Sequence, residues 1–166
     1  MNYKIGVVII EKKMASESEV IIGSLMLPEQ ANLRGSIHGG EIMKMMDNTA
    51  GIVARRHSRE TVVTARVDEL EFHEPIHIGN LVTCWGRLTF VGKSSMEVKV
   101  VVKVEDLTKE EEPKVALTAY FTMVALDEKG KPVIVPQLEF ENKEEKLAFE
   151  EGEFRYNVYK NKRIKK

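Results

Sequence analysis

A chain of 166 residues, 43% of them hydrophobic and 31% charged, has the composition of one globular domain, neither disordered nor embedded in a bilayer. A net charge of −1 gives no overall pull toward nucleic acid or an anionic membrane, so any polyanionic ligand must be held by a local patch. The single cysteine, Cys84, excludes an internal disulfide framework and a cysteine-based zinc cluster, and points to a reducing, cytoplasmic compartment.

The first dozen residues read as a short strand, with an apolar run too short for a secretory signal or a membrane span. Lys12 to Glu19 is polar and reads as a loop, and Glu19 to Leu27 as a strand closed by Pro28. Ala31 to Gly40 holds Asn32, Gly35, Ser36, Gly39 and Gly40, which is turn chemistry leading into a helix start. Glu41 to Arg56 fits a helix, because Ile42, Met45, Met46, Thr49, Ala50 and Val53 recur at helical spacing. Glu41 in its first turn and Arg55 and Arg56 in its last suit the macrodipole.

Four strands follow the helix. Val62 to Phe72 ends before Pro75, and Leu81 to Val91 carries Cys84 as a core residue. Beyond the turn Gly92-Lys93-Ser94, Met96 to Glu105 alternates apolar and charged residues with a period of two. Asp106 to Lys114 is a charged loop, and Val115 to Leu126 sets Leu117, Ala119, Phe121 and Met123 on one face. Asp127 to Gly130 is a turn, Pro132 and Pro136 bracket an extended exit, and Asn142 with Glu145 forms a capping signal for a C-terminal helix that Gly152 weakens. A basic tail ends the chain.

One apolar-striped helix followed by long alternating strands specifies an α+β fold, a curved antiparallel sheet wrapped round a central helix. Residues 1–17 read as an N-terminal extension, 18–138 as the single domain, and 139–166 as the C-terminal helix and tail.

The chemistry concentrates between Ala31 and Ala54. His38-Gly39-Gly40 opens the helix, where unpaired amide N–H groups point outward and backbone can approach a ligand, an arrangement suited to an oxyanion. Asp47 lies on the helix off its apolar stripe, and Asn32 lies in the loop before it. Each admits an ordinary role: a glycine-rich helix start, a solvated acid, an Asx-turn, and for His38 a brace for the loop rather than a base. The four histidines, at 38, 57, 73 and 77, lack metal-ligand spacing, and there is neither a nucleophile elbow nor a P-loop.

Together these residues resemble a family. Asn32, His38-Gly39-Gly40, Asp47 and the run Ala50-Gly51-Ile52-Val53-Ala54-Arg55-Arg56-His57 are similar to the hotdog-fold acyl-CoA thioesterases, specifically the cytosolic (brain-type) acyl-CoA hydrolases and their short bacterial relatives. The likeness continues through Val63 to Asp68, Phe72 to Gly79, Gly92 to Glu97, Ala119 to Thr122, Val135 to Leu138, and the tail around Phe149 to Gly152 with Arg155-Tyr156. It implies a hotdog fold, and a homodimer with shared sites assembled into a hexamer as a trimer of dimers. Each site would join Asp47 of one subunit to Asn32 of the other, with the backbone N–H near Gly40 holding the oxyanion. His38, Gly39, Arg56 and His57 belong by resemblance to the substrate-binding set. Ala65, Arg66 and Val67, with the turn Gly92, Lys93, Ser94 and Ser95, would bind the coenzyme A arm. No metal and no cofactor is implied beyond coenzyme A as part of substrate and product, and no nucleic-acid or membrane partner. Leu33-Arg34 and Asn48-Thr49 depart from the common pattern and bear on loop shape or chain-length preference. On the same fold, a hydroxyacyl-thioester dehydratase using His38 with Asp47, or a non-catalytic acyl-CoA sensor, remains open.

Overall fold

The computed structural model describes residues 11–68 and 70–164. Five antiparallel strands form the main sheet in the order β2-β4-β5-β6-β3: β2 Val20–Leu25, β3 Thr61–Asp68, β4 Leu81–Val91, β5 Ser95–Glu105 and β6 Lys114–Leu126. Helix α1, Gly39–Ser58, packs against all five, the curled sheet round one helix that the resemblance implied. Its buried stripe is Ile42, Met46, Thr49, Ala50, Val53, Ala54 and His57, while Met45 sits half-buried at the edge. The strands contribute Val82, Cys84 and Leu88, the alternating Met96 to Val104, and Leu117, Ala119, Phe121 and Met123. Burial pushes the Cys84 thiol up to about 11, against a hydrogen bond from Thr49 that lowers it, so the residue is an inert core thiol.

Helix α1 runs two residues beyond the sequence expectation at each end. The His38 side chain caps its start, and Arg59, in the left-handed region at φ 60°, closes its end with a bond to the Arg55 carbonyl. The helix lies closest to the sheet at Gly86, where an added Cβ would fall 2.7 Å from the Thr49 Cγ2.

Other boundaries moved for physical reasons. Residues 12–19, expected as a loop, contain β1, Lys12–Met14, and a 3₁₀ turn at Ala15–Glu17. Strand β1 pairs in parallel with β7, Gln137–Glu139, a non-local pairing too short to leave a period in the sequence. Most of the strand expected in the first dozen residues lies outside the described residues. Strand β2 stops at Leu25, and Pro28 opens a 3₁₀ turn rather than closing a strand directly. Strand β3 has a bulge between Thr64 and Arg66 and ends at Asp68, short of Phe72, although the His73 N–H still bonds the Ala116 carbonyl of β6 at 2.9 Å. Among the described residues, no helix is long and apolar enough to cross a membrane.

Helix α2, Lys143–Ile164, docks on β4. Asn142 caps it by accepting from the Glu145 N–H at 2.9 Å, while the Glu145 carboxylate takes the Glu141 N–H. Arg87 ties the helix start down through Glu145 and Glu141 and reaches Glu19 at 3.1 Å. Phe149 and Tyr156 pack on Phe90 with ring centroids 5.0 and 5.3 Å apart. Gly152, expected to weaken the helix, instead lets it settle on the sheet: an added Cβ would lie 2.6 Å from the Phe90 Cβ and 2.8 Å from the Glu97 Oε1. Gly152→Ala is therefore expected to destabilise the protein by about 1–3 kcal/mol in urea unfolding, overriding the ~1 kcal/mol that alanine gains in helix propensity. A stabilised variant would show that α2 does not sit this close.

His57 illustrates why a residue near the helix end has no contact with solvent. It is 1% exposed, its Nε2 donates to the Pro136 carbonyl at 2.8 Å, and its buried Nδ1 has no hydrogen-bond partner among the described residues. Burial pushes its pKa below the ordinary histidine range, opposed by the bond to Pro136 and aided by the charge of Lys13. Below about pH 6.5 the unfolded histidine takes up a proton that the folded one resists, so its contribution to stability is present above that pH and is lost as pH falls. Urea midpoints at about pH 7.5 and 5.5 are expected to differ more for the wild type than for His57→Gln. Equal differences would contradict a neutral His57.

Candidate functional site

The loop before α1 is shaped by its own hydrogen bonds. Asn32 N–H donates to the Ser36 carbonyl at 2.7 Å, Gly35 N–H to the Asn32 carbonyl at 2.9 Å, and Arg34 N–H to Asn32 Oδ1 at 2.9 Å. Gly35 takes φ 78°, which the turn requires. Asn32 thus makes the Asx-turn with its side-chain oxygen, which leaves its NH₂ group as the ligand-facing chemistry it can offer. His38 N–H is held by the Gln30 carbonyl at 2.8 Å, and its Nδ1 accepts the Gly40 N–H at 3.2 Å.

That contact makes the His38 side chain the cap of α1. It also alters the expected oxyanion donor, because the Gly40 N–H already has a partner and the Glu41 N–H bonds the His38 carbonyl at 2.9 Å. The Gly39 N–H, first in the helix, has no intrahelical acceptor by position. Phe72 lies against this residue, 3.3 Å from where a Gly39 Cβ would stand. The protomer forms no His38–Asp47 hydrogen bond of the kind a dehydratase pair would use.

Asp47 sits two turns along α1, exposed, and its Oδ1 accepts the Thr64 hydroxyl of β3 at 2.5 Å. Thr64 was not singled out in the sequence, although it falls within the Val63 to Asp68 run that carries the family likeness. The pair lines a cavity of about 420 Å³ between α1 and the two sheet edges, with Ile22, Met45, Asn48, Gly51, Ile52, Arg55, Val62 and Met123. Asn32 is not part of this lining, and among the described residues no hydrogen bond joins it to Asp47. Gly39 and Asp47 are eight residues apart, about 12 Å along the helix.

The residues expected at the coenzyme arm divide. Ala65, Arg66 and Val67 lie on β3, an edge strand of the sheet, with Ala65 exposed at the bulge. Arg66 stacks on the Tyr159 ring at 3.8 Å, and its Nε lies 2.7 Å from the Asp68 carboxylate without hydrogen-bond alignment. It opens on a cavity of about 320 Å³ with Asp68, Phe154, Arg155, Val158, Tyr159 and Lys162. The hairpin from Gly92 to Ser95 is held by backbone bonds: Gly92 N–H donates to the Ser95 carbonyl, Ala125 N–H to the Ser94 carbonyl, and Val135 N–H to the Lys93 carbonyl. None of these four residues lines the Asp47 cavity. Arg56 donates to the Glu19 carbonyl at 2.9 Å, although it borders a wide cavity of about 580 Å³ shared with Arg55 and Arg59. His57, expected to bind substrate, is buried in the core and has no surface for that role. Among the described residues, no group of three or more His, Cys, Asp or Glu side chains is arranged to hold a metal.

Comparison with known proteins gives this geometry a context. A family model described as the thioesterase superfamily matches residues 34–111. The cytosolic acyl coenzyme A thioester hydrolase of Rattus norvegicus is 42% identical over 154 residues, 92% of this chain; the chain spans 40% of that relative's length. The crystal structure of an apo-hexameric acyl-CoA thioesterase matches with TM-score 0.86 and 34% identity, covering 92% of this chain and 97% of that one. An acyl-CoA hydrolase from Staphylococcus aureus, solved in complex with butyryl coenzyme A, coenzyme A and coenzyme A disulfide, matches with TM-score 0.84 and 32% identity over 93% of each chain.

Proposed function

This chain belongs to the thioesterase superfamily with the hotdog fold, and from that premise we propose that it hydrolyses acyl-CoA to the free acid and coenzyme A at a site completed by a second copy of itself. The observation that carries the reading is the pairing of Asp47 with Thr64 on the wall of an open cavity, while Asn32 and the helix tip lie elsewhere in the same protomer.

The chemistry follows from those groups. Thr64 holds one oxygen of the Asp47 carboxylate and so presents the other to a water molecule. Asp47 takes a proton from that water as general base, and the hydroxide adds to the thioester carbonyl carbon. The oxyanion that forms is held by the partner subunit's Gly39 N–H, at the positive end of that subunit's α1. Collapse of the intermediate breaks the C–S bond, releasing the acid and the coenzyme A thiolate, which takes up a proton. Asn32 of the partner subunit positions the water or the carbonyl through its NH₂ group.

Two copies are needed because no single protomer supplies both ends. Strand β3 is an edge with unpaired backbone groups and an exposed Val63, suited to pairing with its counterpart in a dimer. The hexameric assembly of the similar thioesterase supports a trimer of such dimers. On this reading the coenzyme arm runs along the Ala65–Val67 edge, and the cytosolic location named for the rat relative supports a cytoplasmic protein. Purified protein incubated with acyl-CoA should release free thiol; binding of coenzyme A without thiol release would favour a sensing module instead.

A further inference from the structure

Resting on the reading of a site completed by a second copy, we propose that Leu33 is a positioning residue that seats Asn32 against that copy. Leu33 is 108% exposed, so among the described residues nothing in its own protomer covers it. It is also held still. The turn that carries it is closed by the Arg34 N–H on Asn32 Oδ1 at 2.9 Å, by the Gly35 N–H on the Asn32 carbonyl at 2.9 Å, and by the Asn32 N–H on the Ser36 carbonyl at 2.7 Å. Ala31 and Ile37 pair behind it. A leucine raised on a backbone already fixed gains from burial and loses little entropy when it docks.

A lone exposed leucine is ordinary on a protein surface, but this one is not alone. Leu27 and Ile78 are 43% and 45% exposed, on segments tied to the turn by the Ser36–His77 bridge and by the Gly79 N–H on the Met26 carbonyl at 2.8 Å. The occupant is a second copy because of what sits beside Leu33. Asn32 spends its Oδ1 on the turn, so the turn aims its NH₂ group, and no hydrogen bond joins it to Asp47 among the described residues. Neighbouring Cα atoms stand about 3.8 Å apart, so the surface that takes Leu33 also fixes where that NH₂ group lies. Truncating Leu33 keeps the aim within the protomer and loosens the seat.

Thiol release from an acyl-CoA by co-expressed protomers tests this. A mixture of Asp47→Ala and Asn32→Ala chains has complete sites only in mixed dimers, each built from Asn32 of the first chain and Asp47 of the second. Adding Leu33→Ser to the Asp47→Ala chain removes the leucine that serves the complete site. Adding it to the Asn32→Ala chain removes the leucine of the site that already lacks both groups. Every mixed dimer loses one leucine in either arrangement, so an effect on folding or association lowers both alike. Placement on the Asp47→Ala chain is expected to cut the recovered kcat about tenfold or more, the worth of burying a leucine side chain. Placement on the Asn32→Ala chain should leave the recovered kcat at the level of the reference mixture, and Leu33→Met on the Asp47→Ala chain should retain most of it. Equal losses in both arrangements, no loss in either, or a loss confined to the Asn32→Ala chain would overturn the seating role. A reference mixture that recovers no activity would instead overturn the shared site on which that role rests.

Discussion

Asp47→Ala is expected to lower kcat for acyl-CoA hydrolysis by at least about 100-fold, the lower end of what a positioned general base contributes. The side chain is exposed and supports no core packing, so the variant should fold and unfold like the wild type. Its one hydrogen bond among the described residues, from the exposed Thr64 hydroxyl at 2.5 Å, orients the carboxylate. A loss confined to kcat identifies a group that acts in the transition state; a rise in KM alone would assign Asp47 to binding. Asn32→Ala should produce a comparable loss by a different route, since its amide positions a reactant and takes no proton. Retention of most activity by either variant would remove that residue from the reaction.

The second large effect concerns stability. Glu97 is 4% exposed and accepts three hydrogen bonds, from the Thr89 hydroxyl at 2.7 Å and from Arg155 Nη2 and Nε at 2.8 and 3.1 Å. The Arg155 guanidinium also lies 4.0 Å from the Tyr120 ring centroid, which locks the middle of α2 to the sheet. Glu97→Ala leaves a partly buried cation without its acceptor and the Thr89 hydroxyl with only the longer bond to the residue 97 carbonyl at 3.4 Å, and is expected to cost about 3–5 kcal/mol. Urea unfolding at fixed protomer concentration measures it, because an oligomer's stability depends on concentration. Replacing both Glu97 and Arg155 with leucine should cost less than removing Glu97 alone, since no orphaned charge remains. A loss below about 1 kcal/mol for Glu97→Ala would show that this pair behaves as an exposed one.

The central helix and four long strands were legible because each carries a sustained period, 3.6 in the stripe from Ile42 to Val53 and 2 in Met96 to Val104. The short parallel β1–β7 pair and the tie of Arg87 to Glu19 and Glu145 were not, since both depend on residues far apart in sequence. Gly152 was misread for a related reason. Its intrinsic effect on a helix is visible in sequence, whereas the Phe90 backbone-proximal carbon that forbids a larger residue is not. At the site, residue type and spacing drew attention to Asp47, Asn32 and the helix start, and their joint role came from the resemblance to the family. The structure added Thr64, engaged the Gly40 N–H with His38, and withdrew His57 into the core. A histidine at the penultimate position of an amphipathic helix follows the same spacing whether it faces a ligand or the Pro136 carbonyl, so only the fold decides.

Co-expression of Asp47→Ala and Asn32→Ala protomers, each nearly inactive alone, bears on the sharing of the site. Random pairing makes half the dimers mixed, and each mixed dimer holds one complete site, so the mixture should recover about a quarter of wild-type activity. A mixture no more active than either variant by itself would place both side chains in one protomer's site and contradict the account.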